Sequence, residues 1–173
     1  MKIKYILPLL ILLISLLTIN TQASANESYK FTSIKKIYDL YFSLKNDYVN
    51  NNNKESINHA KEMQAAIKAI LLVDLDSSIR KEYKKVKKIL DINLKNILES
   101  KDIKNQRKAF KKISDGLYSL LGVYDYTSTV YLQFCPMANG GKGASWLSKD
   151  EEIRNPYFGS RMLKCGRIKE TIK

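Results

Sequence analysis

The residues of this chain with the most chemistry to offer are two cysteines and two methionines near its C-terminus. Cys135 and Met137 stand at i and i+2 with Pro136 between them, and Met162 and Cys165 stand at i and i+3. Thiolate and thioether sulfur are the soft donors that select Cu(I) and similar ions over hard cations. If the two segments fold against each other, each offers two sulfurs to one soft cation, Cu(I) or Ag(I). His59 and Met63 lie four residues apart and share a helical face, so they are two further candidate ligands if the C-terminal segment docks there. The cysteines also have a second reading. They are the only two in the chain, and in an oxidising compartment such a pair commonly joins. A Cys135–Cys165 disulfide would close a loop of roughly 30 residues and stabilise the fold by about 3–4 kcal/mol in the chain-entropy account. Both readings stay open on the sequence, and a redox-switched pair would satisfy both.

Other chemistry finds little support. A cysteine nucleophile would need a base, and His59 is the only histidine. There is no Cys-x-x-Cys of the kind used in thiol exchange. Gly140-Gly141-Lys142-Gly143 is not a phosphate loop: Pro136 stands where the first glycine is needed, and no Ser or Thr follows Lys142. Those glycines read better as a turn that needs positive φ. Asp150, Glu151 and Glu152 form an exposed acidic patch rather than a hard-metal cage, since no second carboxylate cluster is near in sequence. Trp146 reads as a packing anchor, with the further option of covering a Cu(I) site. The expectation is a protein with no catalytic residues and no organic cofactor.

The N-terminus fits an export leader. Lys2 and Lys4 precede an almost unbroken apolar run from Tyr5 to Ile19, and Ala23-Ser24-Ala25 supplies a small-residue cleavage site. The expected mature protein starts at Asn26 and is periplasmic or secreted. The chain has 30 Lys and Arg against 17 Asp and Glu, a formal net charge of +13, and loses only two lysines with the leader. An exported protein does not ordinarily meet nucleic acid, and its lysines are spread along helix faces rather than gathered in one block. The charge therefore predicts acidic partners or, at most, peripheral contact with a membrane surface.

These residues need elements to position them. Ile34, Ile37, Tyr38, Tyr41, Leu44 and Tyr48 recur at three- and four-residue steps and predict a helix from about Ser33 to Asn50, ended by Asn50 to Asn53. A second helix is expected over about 54–72, burying Ile57, Ala60, Ala65, Ile67, Ile70 and Leu71. A third, over about 79–98, presents Tyr83, Val86, Leu90, Asn93 and Ile97, with a lysine-rich opposite face. A fourth, over about 103–121, presents Gln106, Phe110, Ile113, Leu117 and Leu120, and Gly122 ends it. Beyond it the composition changes: five of the seven glycines follow Phe134. The expectation is an all-α fold, a four-helix up-down bundle over about 33–122. Its irregular tail over 123–173 carries one short strand near Val130–Phe134, a glycine-rich loop, and a helical turn near Lys149–Ile153. The tail packs on the bundle through Trp146, Leu147, Ile153, Tyr157, Phe158 and Leu163.

Residues 135–139 (Cys-Pro-Met-Ala-Asn), 141–148, 153–159 (Ile-Arg-Asn-Pro-Tyr-Phe-Gly) and 162–166 (Met-Leu-Lys-Cys-Gly) resemble a bacterial secreted domain of unknown function, the DUF3347 family. Residues 102–110 resemble its fourth-helix motif. The likeness is closest over 134–166 and looser over the first three helices. That domain occurs alone or attached to periplasmic adaptor subunits of Cus-type copper/silver efflux pumps. The resemblance implies a bundle with a packed tail, an envelope location, and heavy-metal efflux components as partners. No adaptor hairpin or barrel accompanies it here, so a pump-subunit role is not implied.

Overall fold

The computed structural model describes residues 33–173; the expected leader lies outside them. In order, the described chain forms α1 (33–50), α2 (Asn53–Ala69), α3 (Ser77–Glu99), α4 (Ile103–Leu121), β1 (Val130–Cys135), β2 (Ala144–Ser148) and β3 (Arg167–Ile172). The expectation of an all-α fold is overturned. The C-terminal third is not an irregular tail with one strand but a three-stranded antiparallel sheet in the order β2-β1-β3, so the fold is α+β. The helical turn expected at 149–153 is a series of bends, and a short 3₁₀ helix lies instead at Gly159–Met162, with another at Leu72–Asp74 between α2 and α3. Among the described residues no helix is long and apolar enough to cross a membrane.

The buried faces of α3 and α4 follow the apolar periodicity closely, whereas on α2 the expected Ile57 is only half-buried and Ala65 is exposed. Tyr83, Val86, Leu90, Leu94 and Ile97 are buried on α3, with Leu94 in place of the expected Asn93, whose amide instead donates to Ile89 O on its own helix. On α4 Gln106, Phe110, Ile113, Leu117 and Leu120 are buried. The α4 start is capped by Asp102, whose carboxylate accepts from the Lys104 amide. On α2 the buried stripe is Ser56, Ala60, Met63 and Ile67, and Leu71 is exposed beyond the helix end. The end of α1 is a left-handed cap: Asn51 has φ 56°, and the Asn52 amide reaches back to Asp47 O at 2.9 Å. Asparagine tolerates that conformation better than most side chains.

The sheet packs on the bundle through aromatic rings. Trp146 and Leu147 of β2 are fully buried, Tyr41 of α1 stacks on Phe110 of α4 at 5.2 Å, and the Tyr41 hydroxyl accepts from the Leu147 amide at 2.9 Å. Tyr157 and Phe158 also pack against the core, whereas Leu163 is only half-buried. Arg107 of α4 ties three parts together. Its Nε donates to Pro156 O at 2.7 Å, and its Nη2 donates to Tyr48 O at 2.7 Å and Asn51 Oδ1 at 2.8 Å. Tyr48 O is one of the carbonyls that the last turn of a helix leaves unpaired.

Gly159 sits against this latch with φ +57°. A Cβ there would collide with Asn51 Oδ1 and stand 2.9 Å from Arg107 Nη2. Gly159→Ala therefore combines left-handed strain with a clash, and is expected to cost about 1–3 kcal/mol. Urea denaturation should show a lower midpoint with an unchanged slope. An unchanged midpoint would mean that the 156–160 segment is not locked to the bundle.

Candidate thiol site

β1 pairs antiparallel with β3, Phe134 opposite Arg167. That register carries the chain just before β3 past the end of β1, and it brings the two cysteines together. Cys135 Sγ and Cys165 Sγ stand 2.8 Å apart as free thiols. Cys135 is fully buried and Cys165 is half-buried. The sequence-predicted juxtaposition of residues 135 and 165 is thus present, and it is produced by the strand pairing that the sequence did not reveal.

The surroundings hold Cys165 in place. Asn155, fully buried, donates from Nδ2 to Cys165 O at 2.7 Å, and its backbone amide donates to Leu163 O at 2.8 Å. Asn155 Oδ1 in turn accepts from the Tyr157 and Phe158 amides, so one side chain joins the 155–158 turn to the cysteine segment. Gly166 follows with φ 151°, and a Cβ there would stand 2.9 Å from Trp146 Cη2. The indole therefore covers the backbone next to Cys165. The sequence signal at Asn155 is the Asn-Pro pair, which marks an Asx turn but not the carbonyl that the amide reaches.

The other sulfur candidates are placed nearby in sequence but differently in space. After Cys135 the chain enters the glycine-rich turn, where Gly140, Gly141 and Gly143 have φ of 68°, 82° and 79°. Met137 stands on that turn 55% exposed. Met162, at the end of the 3₁₀ helix, is half-buried. His59 and Met63 are engaged in the helical bundle. His59 Nδ1 lies 2.6 Å from Asp47 Oδ2, and Met63 is buried in the core. Among the described residues no three His, Cys, Asp or Glu side chains gather in a way that could hold a metal ion.

Two paired thiols can do two things. They can lose two protons and two electrons to an oxidant and join as a disulfide, or they can lose protons to a soft cation and bind it. Metal–thiolate bonds of about 2.3 Å place two sulfurs roughly 3.7–4.6 Å apart, so a bound ion would spread the pair. The hydrogen bond with Cys135, followed by burial, pushes the Cys165 thiol up to about 11. Near neutral pH it is protonated, and a cation bound at its sulfur must displace that proton. Apparent Cu(I) affinity is expected to rise about tenfold or more per pH unit between about pH 6 and 8. A flat profile in competition titrations would mean that only thioethers bind.

A family model described as a protein of unknown function, DUF3347, matches residues 37–129. No curated protein and no solved structure matches the chain. The family match spans α1 to α4 and stops just before β1, so it covers the bundle and does not extend over residues 134–166, the segment expected to carry the closest likeness. Covering more than half of the chain, it settles membership: the chain belongs to the DUF3347 family.

Proposed function

We propose that this family member is an envelope protein that binds a soft monovalent cation, Cu(I) or Ag(I), through the thiolates of Cys135 and Cys165, and buffers it or passes it to heavy-metal efflux components. The observation that carries the reading is the 2.8 Å approach of the two cysteine sulfurs at the border of sheet and loop. Two thiolates are a donor set that favours a soft ion and offers little to a hard one. Met137, two residues from one thiol and largely exposed, and Met162, three residues from the other, are the thioethers nearest to the pair in sequence and would be its further donors. His59, held on Asp47, and Met63, in the core, do not contribute. Export from the cell follows from the leader-like residues 1–25, and the link to efflux follows from the resemblance to the adaptor-attached domains.

The test is a Cu(I) titration of the reduced chain against a chromophoric chelator, with free thiols counted at each step. One equivalent bound with loss of both reactive thiols supports the reading. Two thiols still fully reactive at saturation would overturn it.

The same sulfur distance favours a second reading. Oxidised, the pair becomes a staple across the β1–β3 border, and the chain is a disulfide-pinned module that docks on a partner through its basic surface. In that case reduction lowers stability by about 3–4 kcal/mol and no soft metal is retained.

A further inference from the structure

A cleft of about 480 Å³ opens on the face of α4, within the usual size of small-molecule sites. Six cationic side chains line it: Lys104, Arg107, Lys108 and Lys111 from α4, Lys142 from the glycine-rich turn, and Arg161 from the 3₁₀ helix. No carboxylate is among its lining residues. Elsewhere on the helices some lysines find acidic neighbours one turn away, as in Lys35–Asp39 and Lys87–Asp91. Here only Lys111 does, with Asp115 at 2.7 Å. Among the described residues no carboxylate forms an ion pair with Lys104, Lys108, Lys142 or Arg161. Arg107, 7% exposed, is fixed in the wall by its three hydrogen bonds, and Arg161 lies near enough to disfavour its charge, after burial itself. Like charges are thus brought together from three separate segments, and only Lys111 among them is paired with a carboxylate. Tyr157 and Phe158 supply an aromatic side to the cleft.

We propose that this cleft binds a phosphorylated small molecule, a phosphomonoester whose body is apolar or aromatic. A single carboxylate would neutralise one cation and use one direction of approach. A phosphomonoester carries close to two charges at neutral pH and three acceptor oxygens, so it can engage lysines and arginines arriving from α4, the turn and the 3₁₀ helix together. Its body would lie on Tyr157 and Phe158. The site is not a phosphate loop. Its charges are brought together by the packing of α4 against the C-terminal segments, which is why the Gly-Gly-Lys-Gly stretch fails the sequence pattern and yet its lysine lines the cleft. The inference is independent of metal binding, since neither cysteine lines this cleft.

Calorimetry on the full chain with phenyl phosphate, inorganic phosphate and phosphatidylcholine vesicles containing phosphatidic acid tests it. Saturable one-to-one binding of phenyl phosphate, tighter than inorganic phosphate, is expected for a soluble ligand; binding confined to the vesicles would identify a lipid headgroup as the source of the same phosphomonoester. In either case the double variant Lys142→Glu/Arg161→Glu, on exposed side chains, should bind at least about tenfold more weakly. Lys169→Glu/Lys173→Glu, which alters net charge equally at the other end of the C-terminal region, should bind within about twofold of the parent. Failure of every probe to saturate, or equal weakening in both double variants, would overturn the proposal.

Discussion

Cys135→Ser should lower Cu(I) affinity by more than about a hundredfold while leaving the fold intact. Serine is nearly the same size as cysteine and keeps a hydroxyl within reach of the Cys165 thiol. The buried β1 position is therefore neither emptied nor overpacked. What changes is the donor. A hydroxyl is a hard, weakly acidic ligand, and a soft cation bound between two thiolates loses one of them outright. Loss of an outer-shell partner already costs metal sites about ten- to a hundredfold, so loss of a direct ligand should exceed that range. Cys165→Ser should behave alike, because the two sulfurs stand 2.8 Å apart as one unit. Met137→Leu should cost much less, since Met137 stands on an exposed turn and would join only after the thiols have spread. The check is a competition titration of each variant beside its melting curve. Affinity and stability falling together would point to a structural pair rather than a metal site.

Arg107→Met should destabilise the protein by about 3–5 kcal/mol, the largest stability effect expected of any single polar side chain here. The guanidinium is the common donor to Pro156 O, Tyr48 O and Asn51 Oδ1. Hydrogen bonds to a charged group are worth about 1.5–3 kcal/mol each, and acceptors left dry carry their own penalty. The three bonds share one side chain, so their costs do not simply add. Methionine fills much of the arginine stem volume, which isolates the polar loss from a cavity. Arg107→Lys keeps the charge but cannot spread donors over three acceptors in a planar fork, and should fall between. Read by thermal unfolding, Arg107→Met should lower Tm by roughly 10 °C. A shift of only a degree or two would mean that the C-terminal region is held by its aromatic contacts alone.

The helices were legible in the sequence because their buried faces repeat at helical spacing with few interruptions: Tyr83, Val86, Leu90 and Ile97 on α3, Phe110, Ile113, Leu117 and Leu120 on α4. The sheet was not, and the reasons lie in β2 and β3. Ala144–Ser148 is short and follows directly on the glycine-rich turn, which reads as loop. Arg167–Ile172 alternates Ile168 with charged residues only loosely, and it is mostly exposed, as an edge strand guarded by charge tends to be. A period-two pattern has little to register on there, and the register shifts between Leu132 and Gln133 on β1 blur it further. The thiol pair shares that blind spot: its candidates were readable as residue types, but their meeting depends on the β1–β3 pairing. Arg107 was hidden differently. It stands in a run of basic residues that looks like a solvated face, and only its neighbours Gln106 and Phe110, both buried, hint that it turns inward.

The most direct test of the thiol site is to run the same Cu(I) competition titration on the chain in two states, fully reduced and oxidised to the Cys135–Cys165 disulfide, with methionines untouched in both. The thiol site should bind one Cu(I) tightly per reduced chain and none above the weak background of exposed thioethers in the oxidised chain, since the disulfide removes both thiolates at once. Equal affinity in the two states would contradict it and leave the cysteines as a structural pair with no part in metal binding.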